Sequence, residues 1–385
     1  MERRAIYSST RLICLIISIA FLVCLLPVEA KASPNVSAKA YALVEASTQR
    51  VLLSVNGEEK LPMASTTKIM TCILAIENGN FDAIVDVDDQ AIGVDGSSIY
   101  LQKGETLSLR ELVYGLMLAS GNDAAVAIAI YIAGSVEKFA DMMNEKAVEI
   151  GAKNTHFVTP NGLPNNDHYT TAIDLALISS YAMQNDTFQR IVSTPSMDFP
   201  ADDDSPARYL RSKNKILYEY DGGNGIKTGY TDAAGKCLSA AAYKEDMQLI
   251  AVVLNDYNMF VDCKTLLDYG FENYDMLTVA SAGEELGEVQ VQNGIEKSVK
   301  TMLEKEITLP LSAEEYTMIE KKINLLGNVQ APVYAGMVLG RLELWLDGTL
   351  YGTADILAVT GIEENTYLYN LFTVIGDWLG FTEGR

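Results

Sequence analysis

The most constraining feature of the sequence is a run that is apolar on all sides yet carries a hydroxyl and an amine one turn apart. The run covers residues 62–76, begins with Pro62 as a rigid entry, and is followed by Gly79 as a stop signal. A helix without a polar face belongs in the middle of a domain. Ser65 and Lys68 are three residues apart and therefore share one face of this predicted helix.

Burial predicts an unusual chemistry for this pair. A buried ammonium is costly, and the usual response is a lowered pKa, which makes the Lys68 amine available as a base. Ser65 beside such a base, at the positive end of a helix dipole, is an activated nucleophile. The same Ser-x-x-Lys spacing recurs from Ser135, on a charged helical stretch, and from Ser212, in a polar loop, where we expect solvated side chains. On this pattern alone, a helix cap with a snorkelling lysine stays open as the alternative.

Composition bounds the classes of function. The 385 residues are enough for more than one domain, and the apolar fraction of 49% is ample for a packed core. A formal net charge of −22 without a basic patch argues against nucleic acid as a partner. The two histidines, His156 and His168, form no HExxH and no pair with metal-ligand spacing. We therefore expect no metal or other cofactor, and a lysine rather than a histidine as the base of any serine enzyme.

Residues 1–30 have the pattern of a secretory signal. Three arginines precede the apolar run 12–26, and small-residue cleavage sites follow it. A retained anchor is the alternative, but the run is short. Two cysteines would leave with the signal, and the remaining Cys72, Cys237 and Cys263 have apolar neighbours, which predicts buried thiols rather than a disulfide framework. We expect an exported protein.

Residues 31–275 predict an α+β domain in which an antiparallel sheet is flanked by a helical region, with the Ser65 helix at their junction. Ser108 and Glu111 fit a capping box at the start of one of the helices. The predicted strands are 38–45, 51–55, 84–87, 226–230, 237–243 and 249–254. The other predicted helices are 109–118, 123–132, 136–150, 171–184 and 261–269, the last ended by Gly270.

Residues 276–362 predict a separate, small all-β domain. Short alternating segments recur at 288–291, 298–303, 307–309 and 317–323, and a final hairpin, 341–346 with 349–354, turns on Asp347 and Gly348. The segment contains no reactive cluster, so a spacer or docking role fits it better than chemistry.

The tail, residues 363–385, predicts an amphipathic helix with Tyr367, Leu371, Phe372 and Trp378 on its apolar face. The segment is too short and too polar to span a bilayer. We expect it to lie in the plane of a membrane surface, although Arg385 is its only cation. Packing against the β domain is the alternative.

Three short motifs occur in a fixed order. Ser65-x-x-Lys68 stands at a helix start, Ser120-Gly121-Asn122 in a turn between two apolar helices, and Lys227-Thr228-Gly229 on a strand. Polar side chains between two buried helices must satisfy each other or face a cleft. Each motif alone is weak, but the three in this order and context are the set found in penicillin-binding proteins and class A β-lactamases.

On these motifs, and on residues 156–163, 225–229 and 266–271, the chain resembles the low-molecular-weight penicillin-binding proteins, which are serine-type D-alanyl-D-alanine carboxypeptidases. The resemblance covers nearly the whole chain. It implies a β-lactamase/transpeptidase-like domain, the all-β domain and the amphipathic tail. It also implies peptidoglycan stem peptides ending in D-Ala-D-Ala as substrates, binding of β-lactam antibiotics, and a peripheral position on the outer face of the cytoplasmic membrane.

The resemblance assigns the catalytic roles residue by residue. Ser65 attacks the penultimate carbonyl, Lys68 takes its proton, and Ser120 relays a proton to the departing D-alanine. The backbone N–H groups of Ser65 and Tyr230 form the oxyanion hole. Water then hydrolyses the acyl-enzyme.

Substrate binding is assigned in the same way. Asn122 holds the peptide amide, Lys227 supplies positive potential, and Thr228 donates a hydrogen bond to the terminal carboxylate. Gly229 lets the substrate lie along the strand edge as an added strand.

The chain departs from the family pattern in two places. Many relatives have histidine where this chain has Tyr230, and some carry an arginine where residues 258–260 offer none. A class A β-lactamase would need a glutamate in a Glu-x-x-Leu-Asn loop, and residues 156–174 contain no glutamate. A D,D-endopeptidase or transpeptidase stays open. A non-catalytic binding module would require a broken motif, and none is broken.

Overall fold

A computed structural model describes residues 33–201 and 205–367 together with Leu371, Val374, Ile375 and Trp378. Strands near both ends of residues 36–274 enclose a run of helices. The strands are β1 (Ala40–Glu45), β2 (Arg50–Val55), β3 (Ile84–Asp86), β4 (Thr106–Ser108), β5 (Ser196–Phe199), β6 (Arg208–Arg211), β7 (Gly223–Thr231), β8 (Gly235–Lys244) and β9 (Met247–Leu254). The helices are α1 (Lys68–Asn78), α2 (Leu109–Leu118), α3 (Asn122–Ala133), α4 (Val136–Ile150), α5 (Ala172–Met183), α6 (Asp186–Val192), α7 (Ile216–Glu219) and α8 (Met259–Asn273).

A five-stranded antiparallel sheet in the order β2-β1-β9-β8-β7 organises this region. Successive side chains of a strand point to opposite faces, so β1 and β9 contribute to two cores. Ala42 and Val252 pack with the helices α1 to α5 on one face. Leu43 and Val253 pack with Leu266 of α8 on the other. Because both faces are covered, the central strands are almost continuously apolar. The strand order places β7 at one edge of the sheet.

The predicted end of the last helix is wrong. We expected Gly270 to terminate it, but α8 continues to Asn273. A Cβ at Gly270 would lie 2.4 Å from Leu249 Cδ1, so this glycine lets α8 pack closely on β9. The predicted capping box of Ser108 and Glu111 is confirmed at the start of α2.

The region after α8 is mainly β. It contains β10 (Asp275–Ala280), β11 (Glu285–Gln292), β12 (Ser298–Leu303), β13 (Ile307–Leu311), α9 (Ala313–Met318), β14 (Glu320–Leu325), β15 (Asn328–Gln330), β16 (Val338–Leu346) and β17 (Thr349–Ala358).

The six-stranded sheet of this region has the order β14-β16-β17-β12-β11-β15, and β10 pairs with β13. The hairpin of β16 and β17 turns on Asp347 and Gly348, as predicted. The predicted strand 317–323 is wrong at its start, because α9 occupies residues 313–318. A capping box between Ser312 and Glu315 stabilises that short helix, and β14 begins only at Glu320.

Of the predicted amphipathic tail, Tyr367, Leu371, Val374, Ile375 and Trp378 are described. They are helical and their side chains are exposed. The other residues of the tail from 368 onward, like the predicted signal at residues 1–30, lie outside the described residues. Among the residues that are described, no helix combines the length and the apolar character needed to cross a bilayer.

Candidate active site

The Ser65 hydroxyl and the Lys68 amine meet at the start of α1. Residues Ala64–Thr67 form a single 3-10 turn that carries Ser65, and Lys68 is the first residue of the α-helix. Ser65 is half-buried, whereas Lys68 is completely buried. Lys68 Nζ lies 3.0 Å from Ser65 Oγ, 2.6 Å from Asn122 Oδ1 and 2.7 Å from the Asn161 carbonyl oxygen. The one-turn spacing predicted this contact, and the structure contains it.

The partners of Lys68 define the state of its amine. Burial, followed by the positive charge of Lys227, lowers the pKa of Lys68 well below its usual value, and Asp123 opposes this effect. A neutral amine has two N–H donors and one lone pair. The oxygens of Asn122 and Asn161 can only accept, so they take the two donors. In this neutral form the lone pair is left for Ser65 Oγ, 3.0 Å away, so that the hydroxyl can donate its proton toward Nζ.

The junction of α2 and α3 supplies the second motif. Ser120 is buried and has a backbone φ of +65°, a strained value for a residue other than glycine. Asn122 begins α3, and besides contacting Lys68 it donates from Nδ2 to the Asp95 carbonyl at 2.6 Å. Both ends of the Asn122 amide are therefore engaged within the protein.

The third motif lies on the edge strand β7. Lys227 is buried, and its Nζ donates to the Thr228 carbonyl oxygen at 3.0 Å. Burial, with a contribution from the positive charge of Lys213, lowers the pKa of Lys227 to about 7. Gly229 faces the Ser65 turn, and a Cβ there would lie 3.0 Å from both the Met63 oxygen and the Ser65 nitrogen. The glycine is thus required by the close approach of two backbones in the protein itself.

Residues of all three motifs line an open surface pocket of about 320 Å³. Ser65, Ser120, Thr228, Gly229 and Tyr230 are among its lining residues. The Tyr230 side chain is exposed, and its hydroxyl donates to Asp232 at 2.8 Å. The remaining lining residues are Ser97, Lys213, Lys236, Met259 and Phe260. Lys68, Asn122 and Lys227 are buried. Lys68 connects Asn122 to the pocket wall, because its amine contacts both Asn122 and Ser65.

The comparison with known protein families decides what this site belongs to. The family model described as D-alanyl-D-alanine carboxypeptidase matches residues 28–258, more than half of the chain. The chain belongs to this family. A second family model, the C-terminal domain of penicillin-binding protein 5, matches residues 274–364 of this D-alanyl-D-alanine carboxypeptidase.

Individual relatives agree with this assignment. D-alanyl-D-alanine carboxypeptidase DacF of Bacillus subtilis is 32% identical over 353 residues, which cover 89% of this chain and 90% of that protein. The crystal structure of penicillin-binding protein 5 from Haemophilus influenzae matches with a TM-score of 0.74 at 29% identity, covering 86% of this chain and 99% of that chain. A mutant of a Streptomyces DD-transpeptidase matches with a TM-score of 0.59 at 30% identity, covering 62% of this chain and 100% of that one. The predicted family, α+β fold class and serine carboxypeptidase class are confirmed.

Sequence reasoning missed several residues that shape the site of the carboxypeptidase. The Asn161 carbonyl holds Lys68, and Gly162 packs against the Ala64 carbonyl. The buried Asp123 carboxylate accepts hydrogen bonds from the backbone N–H groups of residues 99 and 101 and so orders the loop before α2. The only signals for these roles were an acidic residue opening an apolar helix and an Asn-Gly pair in a long loop.

The described residues of the carboxypeptidase contain no group of three or more His, Cys, Asp or Glu side chains that could hold a metal ion. Cys72, Cys237 and Cys263 are buried free thiols, as predicted. The other two Ser-x-x-Lys pairs differ from Ser65 and Lys68, because their lysines are exposed.

Proposed function

We propose that this carboxypeptidase removes the terminal D-alanine from peptidoglycan stem peptides through an acyl-enzyme on Ser65. One observation carries the proposal. The buried Lys68 amine lies within hydrogen-bonding distance of the Ser65 hydroxyl and of the carbonyl oxygens of Asn122 and Asn161. In its neutral form the two carbonyl oxygens take both N–H donors, which leaves the electron pair of the amine for the Ser65 proton.

Acylation follows from this geometry. Ser65 Oγ attacks the penultimate carbonyl carbon while Lys68 takes the hydroxyl proton. The N–H groups of Ser65 and Tyr230 receive the developing oxyanion, at a typical contribution of about 3 kcal/mol per donor. Ser120 relays a proton to the nitrogen of the departing D-alanine. Water then attacks the ester carbon, Ser65 leaves as the alcohol, and the shortened peptide departs.

The substrate carboxylate is proposed to bind beside Thr228, with Lys227 supplying positive potential from beneath and Lys213 from the pocket wall. Asn122 Oδ1 has a second lone pair beyond the one used by Lys68, and that lone pair can accept the peptide N–H of the substrate. Gly229 keeps the edge of β7 close to the Ser65 turn, so the substrate can add to this edge as a strand.

D-alanine release tests the proposal. The purified protein is incubated with diacetyl-Lys-D-Ala-D-Ala, and D-alanine is measured for wild type, Ser65→Ala and the control Ser135→Ala. We expect release by wild type and by the control, whose Ser-x-x-Lys pair has an exposed lysine. Full release by Ser65→Ala would refute the assignment.

The same purified protein can be used to distinguish carboxypeptidase activity from related activities. The match to a Streptomyces DD-transpeptidase makes D,D-transpeptidase chemistry the second candidate. A D,D-endopeptidase would instead transfer the acyl group to water, as the carboxypeptidase does. Adding an amino-acid acceptor would divert the acyl-enzyme to a new peptide if transfer dominates, whereas hydrolysis gives the free acid.

Residues 156–174 contain no glutamate, so we expect slow release of bound β-lactams and little nitrocefin turnover. Rapid turnover would favour a β-lactamase.

We further propose that the protein is exported and acts on the outer face of the cytoplasmic membrane, held by its tail. The predicted signal and the exposed apolar side chains of Tyr367 and Trp378 support this localisation. A chain truncated after residue 362 should lose membrane association in fractionation while it keeps D-alanine release. Unchanged partitioning would refute the anchor.

A further inference from the structure

His168 lies beneath the Ser65 turn and contacts it through one hydroxyl. It is 3% exposed. Its Nδ1 accepts a hydrogen bond from the Val158 backbone N–H at 2.9 Å, and its Nε2 lies 2.7 Å from Thr67 Oγ1. Thr67 Oγ1 in turn donates to the Ala64 carbonyl oxygen at 2.8 Å. The three contacts form a chain from the loop of residues 156–164 to the peptide group that precedes the nucleophile.

The direction of each hydrogen bond in this chain is fixed. A backbone N–H can only donate, so His168 Nδ1 carries no proton and Nε2 carries it. Nε2–H therefore donates to Thr67, which leaves the Thr67 hydroxyl proton for Ala64. Burial lowers the pKa of His168 to about 4, which keeps the ring neutral and this tautomer in place at neutral pH.

The Ala64–Ser65 peptide group needs such an anchor. Ala64 has a φ of +48°, which is costly for a residue with a side chain. Gly162 packs so closely on the Ala64 carbonyl that a Cβ there would lie 1.9 Å from the oxygen. The carbonyl of Ala64 and the N–H of Ser65 belong to one planar trans peptide and point in opposite directions. Holding the oxygen from below therefore orients the N–H toward the pocket.

We propose that His168 is a positioning residue that acts through Thr67 to orient the Ser65 N–H as an oxyanion donor. The inference rests on the proposed function, because it requires Ser65 to be the nucleophile. His168 touches neither the nucleophile nor its base, and its contact with the Ser65 turn runs through Thr67.

A matched pair at Thr67 tests the role. Thr67→Val keeps the shape and loses the hydroxyl, whereas Thr67→Ser keeps the hydroxyl. Loss of a whole oxyanion donor costs about 10²–10³ in kcat, so a misdirected donor should cost about tenfold to a hundredfold. We expect this loss in Thr67→Val with KM for diacetyl-Lys-D-Ala-D-Ala changed less than about twofold, and near-complete recovery in Thr67→Ser.

A peptide boronic acid separates orientation from general damage. Its tetrahedral adduct with the serine places an oxygen in the oxyanion hole, so its affinity should fall by the same factor as kcat in Thr67→Val. The shape of the pH–rate profile for penicillin acylation should not change, because Lys68 is untouched. A profile displaced along the pH axis would indicate a damaged base and would overturn the proposal.

His168→Gln provides a second line of evidence, since glutamine offers both an acceptor and a donor. It should retain more activity than His168→Leu, and the control His156→Gln, at a partly exposed histidine, should match wild type. Circular dichroism identifies any His168 variant that does not fold. In that case the comparison of Thr67→Val with Thr67→Ser alone decides whether His168 has the positioning role. Wild-type kcat and boronate affinity in Thr67→Val, with Ser65→Ala inactive, would refute this inference and leave the proposed function intact. An active Ser65→Ala would refute the proposed function itself.

Discussion

Replacing Gly229 by alanine should move the nucleophile by a distance that the structure defines. The new Cβ would lie 3.0 Å from the Met63 oxygen and the Ser65 nitrogen and 3.1 Å from the Thr66 nitrogen. Ordinary contacts begin near 3.4 Å, so the 3-10 turn must retreat from β7 by about 0.4 Å. A misplacement of about 1 Å can cost about a hundredfold in rate, so we expect about a tenfold loss in kcat/KM, or about 1.4 kcal/mol of transition-state stabilisation.

The assay for Gly229→Ala is D-alanine release together with thermal denaturation. Overpacking should also lower the free energy of unfolding by about 1–3 kcal/mol. Gly352→Ala in β17 is the matched control, because its Cβ would lie 2.8 Å from Ile307 Cγ2 in the all-β region. The control should lose stability but not activity. Wild-type kcat/KM in a folded Gly229→Ala would refute the argument that this glycine sets the spacing between strand and nucleophile.

Three further variants test the buried titratable groups. The pKa of His168 falls from 6.5 to about 4 on folding. Wild type should therefore lose about 3 kcal/mol of stability as the pH falls through that range. Denaturant titrations should show a smaller loss for His168→Gln. Lys227→Met removes a charge that lowers the pKa of Lys68, so that pKa should rise and the acid limb of the penicillin acylation profile should move to higher pH. Burial, together with the Asp262 carboxylate, raises the pKa of Asp256, which costs stability as the pH rises above the usual aspartate range. Asp256→Asn should therefore have a higher Tm than wild type at neutral pH, and an equal or lower Tm would contradict that sign.

The parts of the site that follow local rules could be predicted from the sequence. The contact between Ser65 and Lys68 follows from helical spacing, and the burial of Lys68 follows from the apolar residues around it. The placement of Ser120 in a turn follows from the break between two apolar helices. The assembly of these residues with Lys227 could not be deduced from their spacing. Its prediction rested on the order of the three motifs.

The contacts that depend on tertiary packing could not be predicted. His168 reaches Thr67 across 101 positions, and the Asn161 carbonyl reaches Lys68 across 93. Gly270 looked like a helix stop because a glycine that ends a helix and one that allows close packing are identical in sequence. The error at residues 317–323 was different in kind, since the Ser312 capping box was visible in the sequence and competed with an alternating pattern.

The site of acylation by benzylpenicillin tests the central claim most directly. The protein is incubated with the drug, digested, and analysed by mass spectrometry to locate the penicilloyl adduct. We predict a single adduct on the peptide that contains Ser65, and none in Ser65→Ala. An adduct on Ser120 or on any other serine would contradict the claim that Lys68 activates Ser65.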